Sequence, residues 1–148
     1  MHADVWPQVC AALGTGLPIE ALEVAFQETP MNLRMLELAR HLRARHCVGI
    51  ITDNKADRID FLRKQHGLAE WFDPIVVSAE VGSGEDHTAI FERALTLVGA
   101  SPAECIFIDN TEDNLVVPSA LGMWTLHFDE RNEIDTLRSS IEAICASA

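Results

Sequence analysis

From Cys47 onward, short apolar runs alternate with segments of helical period, and this alternation limits the possible folds more than any other feature of the chain. Val48–Ile51, Ile75–Ser78, Cys105–Ile108 and Trp124–Phe128 are short apolar runs that read as strands, and Cys105–Ile108 is of the kind that is buried on both faces. Helical patterns separate them. One runs from Ala56 to His66 and stops at Gly67; another carries Ile90, Phe91, Ala94, Leu95 and Val98 and stops at Gly99. A third carries Leu115, Val116, Ala120 and Leu121 and stops at Gly122, and a last one spans Ile134–Ala146. Glycine just beyond a periodic run is the residue a helix C-terminus favours. Strands and helices alternating at this spacing predict an α/β fold. Its core is a parallel, Rossmann-like sheet of about four strands with right-handed crossovers and flanking helices.

The sharpest unit is Cys105 to Met123, CIFIDNTEDNLVVPSALGM. It reads as strand, acid, polar turn, helix and glycine. Open α/β sheets bind ligands at the carboxyl ends of their strands, so Asp109 is placed for chemistry as well as for capping a helix. The first strand ends in Thr52-Asp53-Asn54. A hydroxyl followed by backbone N–H groups at a helix start can hold a phosphate, which makes Thr52, Asp53 and Asn54 the candidate phosphate site. A carboxylate at a neighbouring strand end can hold Mg²⁺, with Asp113 one helical turn later joining directly or through water. Asp109 and Asp113 are therefore the candidate metal ligands. Asp109, Thr111 and Asp113 also match the first positions of an EF-hand, but Asn114 replaces its glycine and Ala120 its bidentate acid.

Residues 1–46 read as helical. Asp4 can cap a helix carrying Val5, Val9, Ala12 and Leu13, and a second helix starts near Pro18. Asn32 can cap a third with Leu33, Leu36, Leu38, Ala39 and Leu42. The expected organisation is a helical segment at 1–46 and an α/β core at 47–148. Net charge is −12, which repels a nucleic-acid backbone or an anionic membrane. A phosphate site in so acidic a chain needs a cation, and a hard ion such as Mg²⁺ suits it. Cys10, Cys47, Cys105 and Cys145 are widely spaced with no CxxC pair, the pattern of buried free thiols in a reducing compartment. No signal peptide is visible at the start, and no apolar run approaches the ~18 residues of a membrane span. The expected location is cytoplasmic.

The runs VGIITDN, WFDPIVVSAEVG, HTAIFERAL and CIFIDNTEDNLVVPSALGMWTLHF resemble the haloacid dehalogenase-like (HAD) superfamily. The similarity is to the branch with a helical cap after the first strand, which includes phosphatases and dehalogenases. It covers residues 31–128, and residues 1–30 resemble the latter part of such a cap. The resemblance implies that Thr52 is the hydroxyl residue that binds the transferred phosphoryl group. It implies that Asp109 is the first member of an Mg²⁺-binding acidic pair, with Asn110 replacing the second. It also exposes two departures. Family members open with a strand ending in DxDx[TV], which supplies the nucleophile; the only Asp before Thr52 is Asp4, which follows no strand. The family's third motif carries a Lys that neutralises nucleophile and phosphate, and Glu85 stands at its position.

Aspartyl-phosphate chemistry requires a carboxylate nucleophile. Exchanging a cation for Glu85 replaces attraction of phosphate by repulsion, each roughly 4 kcal/mol at ~4 Å and an effective dielectric near 20, or about three powers of ten in rate. No catalytic residue is assigned. In the family the missing strand lies between those at Val48–Ile51 and Cys105–Ile108, so its absence leaves two unpaired edges inside the sheet. The expected outcome is direct pairing of those strands into one four-stranded sheet, or closure by a second chain in a homodimer. The resemblance thus points to a truncated or degenerate HAD-like domain, non-catalytic, that binds a small phosphorylated ligand or oligomerises. The alternative is an Mg²⁺-dependent HAD-like phosphohydrolase whose DxD segment lies outside this chain. A phospho-receiver with Asp53 as acceptor fits less well, since no acidic pair precedes Asp53 on an earlier strand.

Overall fold

The computed structural model describes residues 2–28, 30–129 and 134–147. They pack as two units, Met1–Met31 and Asn32–Ala148. The first holds helices α1 (His2–Leu13) and α2 (Glu20–Gln27). Helix α1 begins ahead of Asp4, which lies inside the first turn rather than at the cap. The loop that follows folds back on α1: the Trp6 indole N–H and the Cys10 thiol both donate to the Leu17 carbonyl, at 2.9 and 3.4 Å. Val5, Val9 and Leu13 are exposed.

The second unit opens with α3 (Leu33–Arg43), capped as expected by Asn32, whose Oδ1 accepts the Met35 N–H at 3.0 Å. Packing thus divides the chain between Met31 and Asn32 rather than at residue 46. The reason is Leu38, 1% exposed, which joins Phe128, Ile134, Leu137 and Ile141 in one core cluster. Helix α3 therefore belongs with the α/β core. The chain continues as β1 (Ile50–Thr52), α4 (Ala56–His66), α5 (Leu68–Trp71), β2 (Ile75–Val77), α6 (Ser78–Val81) and α7 (Thr88–Val98). Then come β3 (Ile106–Asp109), α8 (Val116–Ala120), β4 (Trp124–His127) and α9 (Ile134–Ser147), with short 3₁₀ turns at Pro102–Glu104 and Glu112–Leu115. The α/β class and the parallel strands match the expectation. Gly67 and Gly99 end α4 and α7 with φ of 59° and 67°, the left-handed conformation that only glycine adopts without strain.

The four strands do not form one sheet. β1 pairs with β2 (Ile50 opposite Ile75, Thr52 opposite Val77), and β3 pairs with β4 (Ile106 opposite Trp124, Asp109 opposite His127), both parallel. No ladder joins β1 to β3, so direct pairing across the gap, one of the two expected closures, is corrected. Side chains join the ladders instead. Ile90 and Phe91 of α7, both 0% exposed, pack with Val76 of β2 and Phe107 of β3, and Ile51 of β1 borders the same cluster. The Phe91 and Phe107 rings meet edge to face at 5.1 Å, a favoured aromatic geometry.

Backbone direction identifies the free edges. Ile50 N–H donates to the Pro74 carbonyl at 2.8 Å, and alternate residues of a strand point to opposite sides, so Ile51 N–H points away from β2. On β3 the Asp109 carbonyl accepts the Phe128 N–H at 2.9 Å, which turns the Ile108 N–H away from β4. Gly49 is required where β1 and β2 meet: a Cβ there would lie 2.6 Å from the Pro74 oxygen.

All four cysteines are free. Cys10 is buried as expected, but Cys47 and Cys145 are exposed because they lie in the turn before β1 and in the last turn of α9. Among the described residues, no helix is long and apolar enough to cross a membrane.

Candidate functional site

The carboxyl ends of β1 and β3 bring the expected residues to one edge. Thr52 is the last residue of β1, and Asp53 and Asn54 lead into α4. Their backbone donors already have acceptors: Asp53 N–H reaches Glu85 Oε1 at 3.1 Å, and Asn54 N–H reaches Ser78 Oγ at 3.0 Å. The Ser78 hydroxyl in turn donates to Asp53 Oδ1 at 2.6 Å. Ser78 is buried because it immediately follows the buried β2 residue Val77.

Asp109 ends β3. Its Oδ1 accepts the Thr111 N–H at 2.7 Å and the Asn114 side-chain amide at 3.3 Å. The same Asn114 Nδ2 donates to Glu85 Oε2 at 2.7 Å. Glu85 therefore bridges the two half-sites: one oxygen takes the backbone beyond β1, and the other takes the amide that leans on Asp109. It is 6% exposed. Burial pushes its carboxyl up to about 7, Asp109 and Asp53 add like-charge repulsion, and the Asp53 N–H bond pulls the other way.

Thr52, Asp53, Asn54 and Asp109 thus lie along the strand ends that Glu85 links. Asp113 is exposed in the 3₁₀ turn, where its neighbour Asn114 is the residue bonded to Asp109. Among the described residues, no three His, Cys, Asp or Glu side chains converge on a metal position. Asp109 alone suits the way Mg²⁺ binds through one or two carboxylates, with water and phosphate completing its shell. It does not make an all-protein cage.

Two shallow clefts flank the bridge. One, of about 250 Å³, is lined by Asn32, Met35, Ile108, Asp109, Asn110 and Phe128. The other, of about 340 Å³, is lined by Asp53, Asn54, Lys55, Ser78, Ala79 and the turn Gly82–Gly84. His87 pairs with Asp86 at 2.9 Å and His127 Nε2 lies 3.0 Å from the Asn110 carbonyl; both serve local contacts. Sequence reasoning missed Ser78 and Asn114 as members of the network. The available signal was a polar residue closing an apolar run in one case and an amide one position past Asp113 in the other.

Comparison with known proteins shows the family and the fold. A family model described as haloacid dehalogenase-like hydrolase matches residues 8–120. The sesquiterpene phosphatase astK of Aspergillus oryzae is 31% identical over 120 residues, 78% of this chain and 61% of that protein. The pyrophosphatase PpaX of Bacillus cereus is 32% identical over 85 residues, 53% of this chain and 39% of that protein. The chain therefore spans less than two thirds of either relative. A wild-type HAD family enzyme from Bacteroides thetaiotaomicron, crystallised with magnesium and inorganic phosphate, superposes with a TM-score of 0.76 at 19% identity, over 91% of this chain and 72% of that one. A HAD phosphatase from Thermococcus onnurineus superposes with a TM-score of 0.65 at 19% identity, over 86% and 60%.

Proposed function

The chain belongs to the haloacid dehalogenase-like hydrolase family, and on that premise we propose that by itself it is a non-catalytic member that works as a binding and oligomerising module. The observation that carries this reading is the split sheet: β1 and β3 each present an inner edge outside any ladder. An apolar strand with unpaired N–H and C=O groups is a template for another strand. A second copy of the chain is the partner that satisfies it, in a homodimer through these edges.

The site supports the same reading. Phosphoryl transfer through an aspartyl intermediate needs a carboxylate nucleophile with a cation beside the phosphate. Here a buried carboxyl, Glu85, fills the middle of the site. Thr52, Asp53 and Asn54 form the edge that would face a small phosphorylated ligand, which would have to displace Glu85 from the Asp53 N–H to enter. Asp109 would hold Mg²⁺, with Asp113 reaching it through water; such an ion would offset the charge of a bound phosphate. With one carboxylate in contact, its affinity is weak.

A second reading is favoured by the two phosphatase relatives. In it, a nucleophile-bearing strand from another stretch of polypeptide docks between β1 and β3 and completes an Mg²⁺-dependent phosphohydrolase. Light scattering across a concentration series tests the module. Dimers that grow with concentration support it; a monomer at every concentration, with Ile51 and Ile108 amides open throughout, contradicts it.

A further inference from the structure

The Asp53 N–H is a donor that a phosphate oxygen would take in the cradle of Thr52, Asp53 and Asn54. Glu85 Oε1 takes it at 3.1 Å. The other carboxyl oxygen holds Asn114 at 2.7 Å, and the side chain is 6% exposed. It is therefore a fixed part of the site rather than a surface group passing over it. The backbone is shaped for this approach: a Cβ on Gly84 would lie 2.8 Å from Asp86 Oδ1 and 3.1 Å from Asp53 Oδ2. The loop carrying Glu85 closes on Asp53 because Gly84 has no side chain.

A carboxylate and a phosphate present the same thing to an N–H donor, an oxygen with negative charge. We propose that Glu85 is a built-in substitute for phosphate, which closes the cradle to free phosphate and ties the ends of β1 and β3 together. This rests on the reading that Thr52, Asp53 and Asn54 form the phosphate-facing edge. For phosphate to enter, Glu85 must leave, giving up two hydrogen bonds. The two half-sites then lose the side chain they share.

An NMR titration with inorganic phosphate in Mg²⁺-containing buffer tests this, with the Asp53 backbone amide and the Asn114 side-chain amide as reporters. In the wild type neither resonance responds. In Glu85→Ser the Asp53 amide shifts, and it saturates at a phosphate concentration about tenfold or more below any effect on the wild type, as expected for one freed charge-assisted hydrogen bond. Glu85→Gln keeps the size and one acceptor oxygen; with that oxygen on the Asp53 N–H it still covers the donor, and the Asp53 amide stays silent as in the wild type. A wild type that responds like Glu85→Ser, or a folded Glu85→Ser that does not respond, overturns the proposal. If Glu85→Ser fails to fold, the other two proteins decide: silence in both upholds the plug, and a phosphate shift at Asp53 in either overturns it. Phosphate binding by the wild type without hydrolysis overturns the plug alone. Hydrolysis by the wild type overturns the non-catalytic reading instead.

Discussion

Glu85 makes the stability of this protein depend on pH in an unusual direction for an acid. Its carboxyl is raised from an ordinary 4.5 to about 7 in the folded chain. Between those values the folded state holds a proton that the unfolded state has released, so stability falls as pH rises through the window and levels off above about 7. Glu85→Gln removes the titration. Thermal melts from pH 4.5 to 8 are expected to show the wild type losing stability that the variant keeps, with a gap of about 1–3 kcal/mol above the window. Parallel curves would contradict the placement of a buried acid between Asp109 and Asp53. At this scale Thr52, Asp53 and Asp109 were legible because each ends, or directly follows, an apolar strand, a local pattern. The role of Glu85 was not, since its partners Asp53 and Asn114 lie 32 and 29 residues away; only its misfit of charge was visible.

Among the elements, α7 does the joining that backbone hydrogen bonds do in an unbroken sheet. Phe91 is fully buried and meets Phe107 edge to face, so Phe91→Ala is expected to cost about 3–5 kcal/mol. Chemical denaturation measures it. A loss under about 1 kcal/mol, the range of a surface change, would mean that the ladders are held by something else. The inner edges give a second prediction. Ile51 and Ile108 point away from their own ladders, so at low protein concentration their amides exchange with solvent much faster than those of Ile50 and Phe107. Protection should then rise with concentration as edges pair between copies. Protection that is already high in the dilute monomer would contradict open edges. The strands and most helix ends were legible because period, β-branching and terminal glycines are properties of a few neighbouring residues. The split of the sheet was not, because whether β1 meets β3 depends on what packs between them.

At the scale of the whole molecule, family membership is compatible with the proposed absence of turnover. The fold positions Thr52 and Asp109 at strand ends whether or not a nucleophile stands between them. Resemblance therefore made the fold class readable from motifs, while the boundary at Met31 followed from the packing of Leu38. The most direct measurement is release of inorganic phosphate from a small phosphate ester by the purified chain with Mg²⁺, alongside Asp109→Asn. The account predicts that both proteins stay at the buffer background. Turnover by the wild type that disappears in Asp109→Asn would contradict it.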